Sequence, residues 1–146
     1  MKTRIHLSLG AVLLLAAGLS WAGTDTIATD EGELRITPIL HGSLQLEHGD
    51  LVIQVDPWSQ GDYSGAPPAD LILITDIHGD HFDAEAIDAV KREETALVAP
   101  YAVVEKLGWG LSIPNGTIIE SAGVRIQAVP MYNLERGPEE GKLYHE

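Results

Sequence analysis

The sequence predicts a single α/β domain built on a mixed β-sheet. Apolar and polar residues alternate over 34–55, as they do in antiparallel strands with one buried face. A continuous apolar run at 71–74 is typical of a strand buried on both faces, and segments with helical character follow it. A chain of 146 residues has the length of one domain.

The first part of the domain is predicted to be a meander of strands. Its strand segments are 34–39, 43–47 and 51–55. His48-Gly49-Asp50 separates the last two and predicts a hairpin turn. The polar residues 23–33 before the meander predict a flexible lead-in. Residues 56–69 contain three prolines and two glycines, so they predict a loop.

The second part alternates helices and strands. Asp83 is a suitable N-cap for a helix over 84–92, in which Ile87 and Val90 form a narrow apolar stripe. The further elements are a strand at 97–99, a short helix at 102–107 that ends at Gly108, and a hairpin of 118–120 with 124–129.

The first 22 residues predict an export signal. Lys2 and Arg4 form a basic start, an apolar run over 7–19 follows, and Ser20-Trp21-Ala22 places small side chains at a cleavage site. A membrane anchor needs about 18 or more consecutive apolar residues, and this run is shorter. Because no cysteine is available for lipid attachment, we expect the mature chain to be free in the periplasm or secreted.

The composition excludes several classes of protein. There are 22 acidic and 9 basic residues, which give a formal charge of −13. Such a charge repels phosphate backbones and anionic lipid surfaces, so we expect no nucleic-acid partner and no membrane partner after signal cleavage. The absence of cysteine excludes a small fold held by disulfides.

Four potential metal ligands lie between the apolar run at 71–74 and the first helix. They are Asp76, His78, Asp80 and His81. Alternate side chains of an extended loop point to the same side, and α/β sheets place ligand sites at the carboxyl ends of their strands. Histidine and carboxylate without thiolate suit zinc, iron or manganese. The alternative is a polar turn in which Asp80 or Asp83 caps the helix, and the residues alone leave both interpretations open.

The segment 71–81, Leu-Ile-Leu-Ile-Thr-Asp-Ile-His-Gly-Asp-His, resembles the signature of the metallo-β-lactamase fold hydrolases. In that family an apolar strand ends in Thr-His-x-His-x-Asp-His. His41-Gly42-Ser43, Val55-Asp56-Pro57-Trp58 and the segment 128–133 are similar to a branch of small zinc-dependent hydrolases that includes ascorbate-6-phosphate lactonase-like enzymes. The resemblance implies an αββα sandwich, of which residues 34–146 match the first αβ half.

The resemblance also implies roles for individual residues. His78 matches a ligand of a first metal, and Asp80 and His81 match ligands of a second. Asp80 also matches the catalytic residue that orients the attacking water. Asp76 replaces the family's first histidine and can ligate as a carboxylate, and His145 matches a later histidine ligand.

Two other residues are expected near the metal without binding it. His41 lies on a different strand with no histidine or carboxylate at ligand spacing, so we interpret it as a structural hydrogen-bonding residue. We interpret Asp56-Pro57 as the end of a strand; the resemblance adds that Asp56 would lie close to the metal, where it could hydrogen-bond a ligand histidine.

The function implied by the resemblance is that of an exported hydrolase with one or two zinc ions, or with iron or manganese. A metal-activated water would attack an ester, lactone or phosphoester of a small-molecule substrate. The alternative is a non-catalytic exported domain or inactive fragment. Asp76 and the missing second half favour that alternative, in which the chain binds at most one zinc and self-associates through an uncovered apolar sheet face.

We predict that exported material begins at Gly23, because signal peptidase cleaves after small residues such as Ala22. N-terminal sequencing of the exported protein checks this expectation. Mature protein that retains residues 1–22 would contradict it.

Overall fold

A computed structural model describes residues 23–131. Within them the chain forms nine strands and two short helices. The strands are β1 (Asp25–Thr29), β2 (Gly32–Leu40), β3 (Ser43–His48), β4 (Leu51–Val55), β5 (Leu71–Leu73), β6 (Ala96–Ala99), β7 (Leu111–Ser112), β8 (Ile118–Ser121) and β9 (Val124–Gln127), and the helices are α1 (Ala84–Val90) and α2 (Tyr101–Leu107).

The main sheet has its strands in chain order, from β1 to β7. Strands β1 to β4 pair antiparallel, and the pairs β4–β5, β5–β6 and β6–β7 are parallel. The predicted mixed sheet is therefore confirmed. Because β4, β5, β6 and β7 run in the same direction, their carboxyl ends meet at one edge of the sheet.

Both faces of the sheet are covered where its strands are parallel. Leu71 and Ile72 are each fully buried, yet they belong to different apolar clusters because successive side chains of a strand point to opposite faces. Ile72 packs with residues of the two helices, among them Ile87 and Val103. Leu71 packs on the other face with apolar residues of the β8–β9 hairpin. Strand β5 is thus buried on both faces, as its continuous apolar run predicts.

The expected flexible lead-in at 23–33 is wrong for most of its length. Residues Asp25–Thr29 form β1, which pairs along its whole length with β2, and β2 itself begins at Gly32. All five residues of β1 are exposed, including Ile27. Since the strand buries neither face, its side chains show no apolar alternation, and the sequence pattern could not reveal it.

The two helices agree with the predicted positions within one or two residues. Helix α1 ends at Val90 rather than at residue 92, and α2 ends before Gly108, whose left-handed φ of 80° favours glycine. The two-residue strand β7 lies outside the predicted elements, since so short a segment has no periodicity.

No helix within residues 23–131 combines the length and apolar composition needed to cross a membrane.

Asp83 joins the start of α1 to the loop after β4. One carboxylate oxygen accepts hydrogen bonds from the backbone N–H groups of Glu85 and Ala86, which confirms the predicted N-cap. The other oxygen accepts from the N–H of Ser59 at 2.9 Å. Burial tends to raise the pKa of Asp83, but these hydrogen bonds outweigh it and leave the pKa below its usual value.

We expect Asp83→Ala to lower the free energy of unfolding by about 1 kcal/mol, the typical cost of removing an N-cap. Because the pKa of Asp83 is depressed in the folded state, this contribution is present above about pH 4 and is lost as the pH falls further. Urea unfolding at pH 7 and pH 3 measures it. Asp88→Ala on the exposed side of the same helix is the control, and an equal loss in both variants would contradict the prediction.

Candidate metal centre

The loop from Thr75 to Phe82 carries the predicted ligands from the end of β5 to the start of α1. The backbone N–H groups of His81 and Phe82 both donate to the carbonyl of His78, at 2.9 and 2.8 Å. This turn reverses the chain and returns His81 toward the end of the sheet. The loop therefore lies at the carboxyl edge of the parallel strands, as expected.

Asp56 is the buried carboxylate at the base of this loop. It is 2% exposed and follows β4 directly. Its Oδ1 accepts from the N–H of Thr75 at 2.7 Å, and its Oδ2 accepts from the Thr75 hydroxyl at 2.5 Å. The same Oδ2 lies 2.8 Å from Nδ1 of His81. The expected hydrogen bond between Asp56 and a candidate ligand histidine is thus present.

This hydrogen bond determines which nitrogen of His81 can bind a metal. An ionised Asp56 can only accept, so Nδ1 of His81 donates and Nε2 is directed to the opposite side of the ring. Burial tends to lower the pKa of His81, but the hydrogen bond and negative charge of Asp56 outweigh burial and raise the pKa. The carboxylates of Asp80 and Asp76 raise the pKa further.

His41, Asp80 and His81 form a compact group of potential ligands. Nε2 of His41 lies 3.0 Å from Oδ2 of Asp80, and Nε2 of His81 lies 4.0 Å from the same oxygen. One ligand atom from each residue lies within 4.8 Å of the other two. A hydrogen bond from its own backbone N–H lowers the pKa of Asp80, and the contact with His41 lowers the pKa further.

Asp76 and His78 form a separate pair. Asp76 is 4% exposed and accepts hydrogen bonds from the backbone N–H groups of Ile77 and His78. Its Oδ2 lies 3.0 Å from Nδ1 of His78. Neither residue belongs to the compact group, so their binding of a metal stays a prediction. The remaining predicted ligand, His145, lies outside the described residues.

Sequence reasoning placed His41 among the hydrogen-bonding residues and missed its position beside two candidate ligands. The separation of 39 positions between His41 and Asp80 hides the contact, because only the pairing of β2 through β5 brings the two residues together. The one feature of the sequence that could have indicated this contact is the adjacent Gly42. A Cβ on that residue would lie 3.3 Å from Cε1 of His81, so a glycine allows the two segments to approach.

The donor set of this group fits a divalent metal. It comprises two imidazole nitrogens and one carboxylate oxygen, the ligands that zinc, iron and manganese accept in the absence of thiolate. The carboxylate of Asp56 behind His81 provides the orienting hydrogen bond that metal-binding histidines usually make.

An apolar groove of about 740 Å³ adjoins the centre. The carboxyl ends of β5, β6 and β7 and the residues that follow them line one part of the groove, and the end of β9 with residues 128–131 lines the other. Thr75, which donates to Asp56, is one of the lining residues. The groove therefore reaches the residue whose N–H and hydroxyl groups donate to Asp56, behind the candidate ligand His81.

Comparison with known proteins also indicates a metal-dependent hydrolase fold. Residues 35–143 match a family model described as a β-lactamase superfamily domain. The chain is 29% identical over 120 residues to a UPF0173 metal-dependent hydrolase from Methanopyrus kandleri, covering 75% of this chain and 52% of the relative. A second UPF0173 metal-dependent hydrolase, from Bacillus pumilus, is 30% identical over 97 residues, which cover 59% of this chain and 42% of that protein.

Solved structures agree in fold. A candidate metal-dependent hydrolase from Parabacteroides distasonis matches with a TM-score of 0.73 and 44% identity, covering 77% of this chain and 52% of that one. A metallo-hydrolase from Ignicoccus hospitalis, 20% identical, matches in fold with a TM-score of 0.58 and covers 71% and 52%. The expected metallo-β-lactamase-like fold class is confirmed, and the chain spans about half the length of these relatives.

We expect Asp56→Asn to weaken metal binding by about 10–100-fold, the usual effect of losing the carboxylate behind a ligand histidine. The amide can no longer act as a two-oxygen acceptor for both Thr75 and His81. Competition with a chromophoric chelator measures the affinity. Asp62→Asn, an exposed position in the following loop, is the control, and equal affinities in the two variants would refute this role.

Proposed function

Because the chain belongs to the β-lactamase superfamily, we propose that it provides the metal centre of an exported hydrolase that cleaves esters, lactones or phosphoesters. The proposal assigns zinc as the metal, with iron or manganese as alternatives. The observation that carries it is the arrangement of Asp56, His81 and Asp80, in which a buried carboxylate orients one candidate ligand beside another. The chemistry of this donor set supports zinc.

Each side chain has a defined task in this proposal. A bound zinc supplies a Lewis acid that lowers the pKa of a water molecule toward neutrality. Asp56 holds the Nδ1 proton of His81, so that Nε2 keeps its lone pair for the metal. Asp80 is 42% exposed at its side chain and can accept a proton or a hydrogen bond from the attacking water.

The groove beside the centre supports a small-molecule substrate with an apolar part. Its lining is mainly apolar, with residues such as Leu73, Val98 and Ile113, and it is continuous with Thr75 at the site. The charge of −13 disfavours polyanionic polymers as substrates. The basic and apolar start of the sequence supports action in the periplasm or outside the cell.

A non-catalytic exported domain is the second candidate. The observation that favours it is Asp76, which stands where the family has a histidine and is hydrogen-bonded to His78. Exposed apolar residues also support self-association of this chain, among them Tyr101, Val129 and Met131.

Metal analysis of the purified mature chain, combined with its intact mass and a panel of ester, lactone and phosphoester substrates, tests the proposal. We expect bound zinc and turnover of at least one substrate class. His81→Ala and His78→Ala should each lower the zinc content. Asp80→Asn should lower kcat by about 10²–10⁴-fold, the usual contribution of a positioned acid or base.

Asp88→Asn, at the exposed Asp88 of α1, is the control for loss of a surface carboxylate. A zinc-loaded chain that turns over no substrate class would support the non-catalytic alternative. A wild-type chain that binds no zinc, iron or manganese would overturn the proposal.

A further inference from the structure

We infer that His41 is a protein ligand of the metal, completing a site of three ligands with Asp80 and His81. The inference rests on the proposed function and deepens it, because it assigns a ligand that lies outside the Asp76–His81 segment. It also gives the turn between β2 and β3 a role in holding the metal.

The distances fit binding to one ion. Two atoms that each lie about 2.0–2.1 Å from a tetrahedral zinc are about 3.3 Å apart. Oδ2 of Asp80 lies 3.0 Å from Nε2 of His41 and 4.0 Å from Nε2 of His81. The three ligand atoms lie within 4.8 Å of one another, so shifts of about 1 Å would bring them into the coordination sphere of one metal.

His41 has an unusual backbone conformation, and its ring lies beside Asp80. Residue 41 has a left-handed φ of 55°, a conformation that few non-glycine residues adopt and that concentrates at functional positions. The register between β2 and β3 shifts between Pro38 and Leu40, just before the turn. The ring of His41 makes edge-on contacts with the rings of Trp58 and His81, each with a centroid distance of 6.1 Å.

The β2–β3 turn is hydrogen-bonded to Asp56, the same residue that orients His81. The hydroxyl of Ser43, which is 1% exposed, donates to the backbone carbonyl of Asp56 at 2.6 Å. The side chain of Asp56 meanwhile accepts from His81. Asp56 thus fixes the position of the turn through its backbone and the orientation of His81 through its carboxylate, so both candidate imidazole ligands share one support.

Three protein ligands and one open position are the usual composition of a catalytic zinc site. His41, Asp80 and His81 supply the three ligands without a contribution from the Asp76–His78 pair. The exposed fractions of their side chains are 56%, 42% and 27%, so the three ligand groups are accessible from solvent.

Zinc affinity of the mature chain distinguishes a ligand from a hydrogen-bonding neighbour. We expect His41→Ala to weaken zinc binding by more than about 100-fold, beyond the range typical of residues that only support a ligand. His41→Gln retains an N–H group that can donate to Asp80 but removes the imidazole, so we expect a similar loss. His48→Ala is the control, because His48 lies at the β3–β4 turn and contacts Thr29.

Cobalt substitution gives a second readout that is independent of turnover. The visible absorption of bound Co²⁺ depends on the number of nitrogen ligands, so we expect it to change in both His41 variants and not in His48→Ala. Thermal unfolding of each metal-free variant verifies that it is folded. Should His41→Ala lose its fold, the Gln variant alone decides.

The outcomes separate this inference from the proposed function. Wild-type protein that binds zinc, together with His41→Gln that keeps wild-type affinity and cobalt spectrum, would overturn the assignment of His41 and leave the hydrolase proposal standing. Wild-type protein that binds no metal would overturn both. Loss of affinity and a changed spectrum in the Gln variant would establish His41 as a ligand.

Discussion

The buried carboxylate of Asp56 is the interaction on which the rest of the site depends. It lies where β4 ends, and it binds the end of β5 through Thr75 and the metal loop through His81, while the backbone carbonyl of the same residue binds Ser43 of the β2–β3 turn. A buried carboxylate is costly unless its oxygens are hydrogen-bonded, and here both are. The left-handed φ of 45° at Asp56 shows that the chain accepts local strain to place this group.

The sheet determines which segments reach Asp56. Because β4 and β5 run parallel, their carboxyl ends lie side by side, and the residues that follow the two strands meet at the same edge of the sheet. The antiparallel pairing of β2, β3 and β4 brings the β2–β3 turn to the same edge. The apolar clusters on both faces of β5 hold that strand firmly, so the polar groups at its end are placed by a rigid element.

The features that could be predicted from the sequence are those that depend on local residue pattern and on burial. The apolar run of β5, the Asp83 cap and the Gly108 stop each have a physical signature confined to a few residues, and each is confirmed. Strand β1 was missed because it buries no side chain, so its register depends on backbone pairing alone. The position of His41 beside the candidate ligands was missed for a different reason. Its contact with Asp80 depends on the tertiary pairing of strands, and the spacing of the two residues along the sequence does not indicate it.

The order of the strands has a consequence for how the protein folds. Since every strand of the main sheet pairs with its predecessor in the chain, each new strand can add to an edge that already exists, and chain-distant pairings are avoided. The antiparallel meander, with His41 at one of its turns, can therefore form before residues 71–81 are added to it. When residues 71–81 add to the edge of that meander, the connection over residues 56–70 is the loop that has to close.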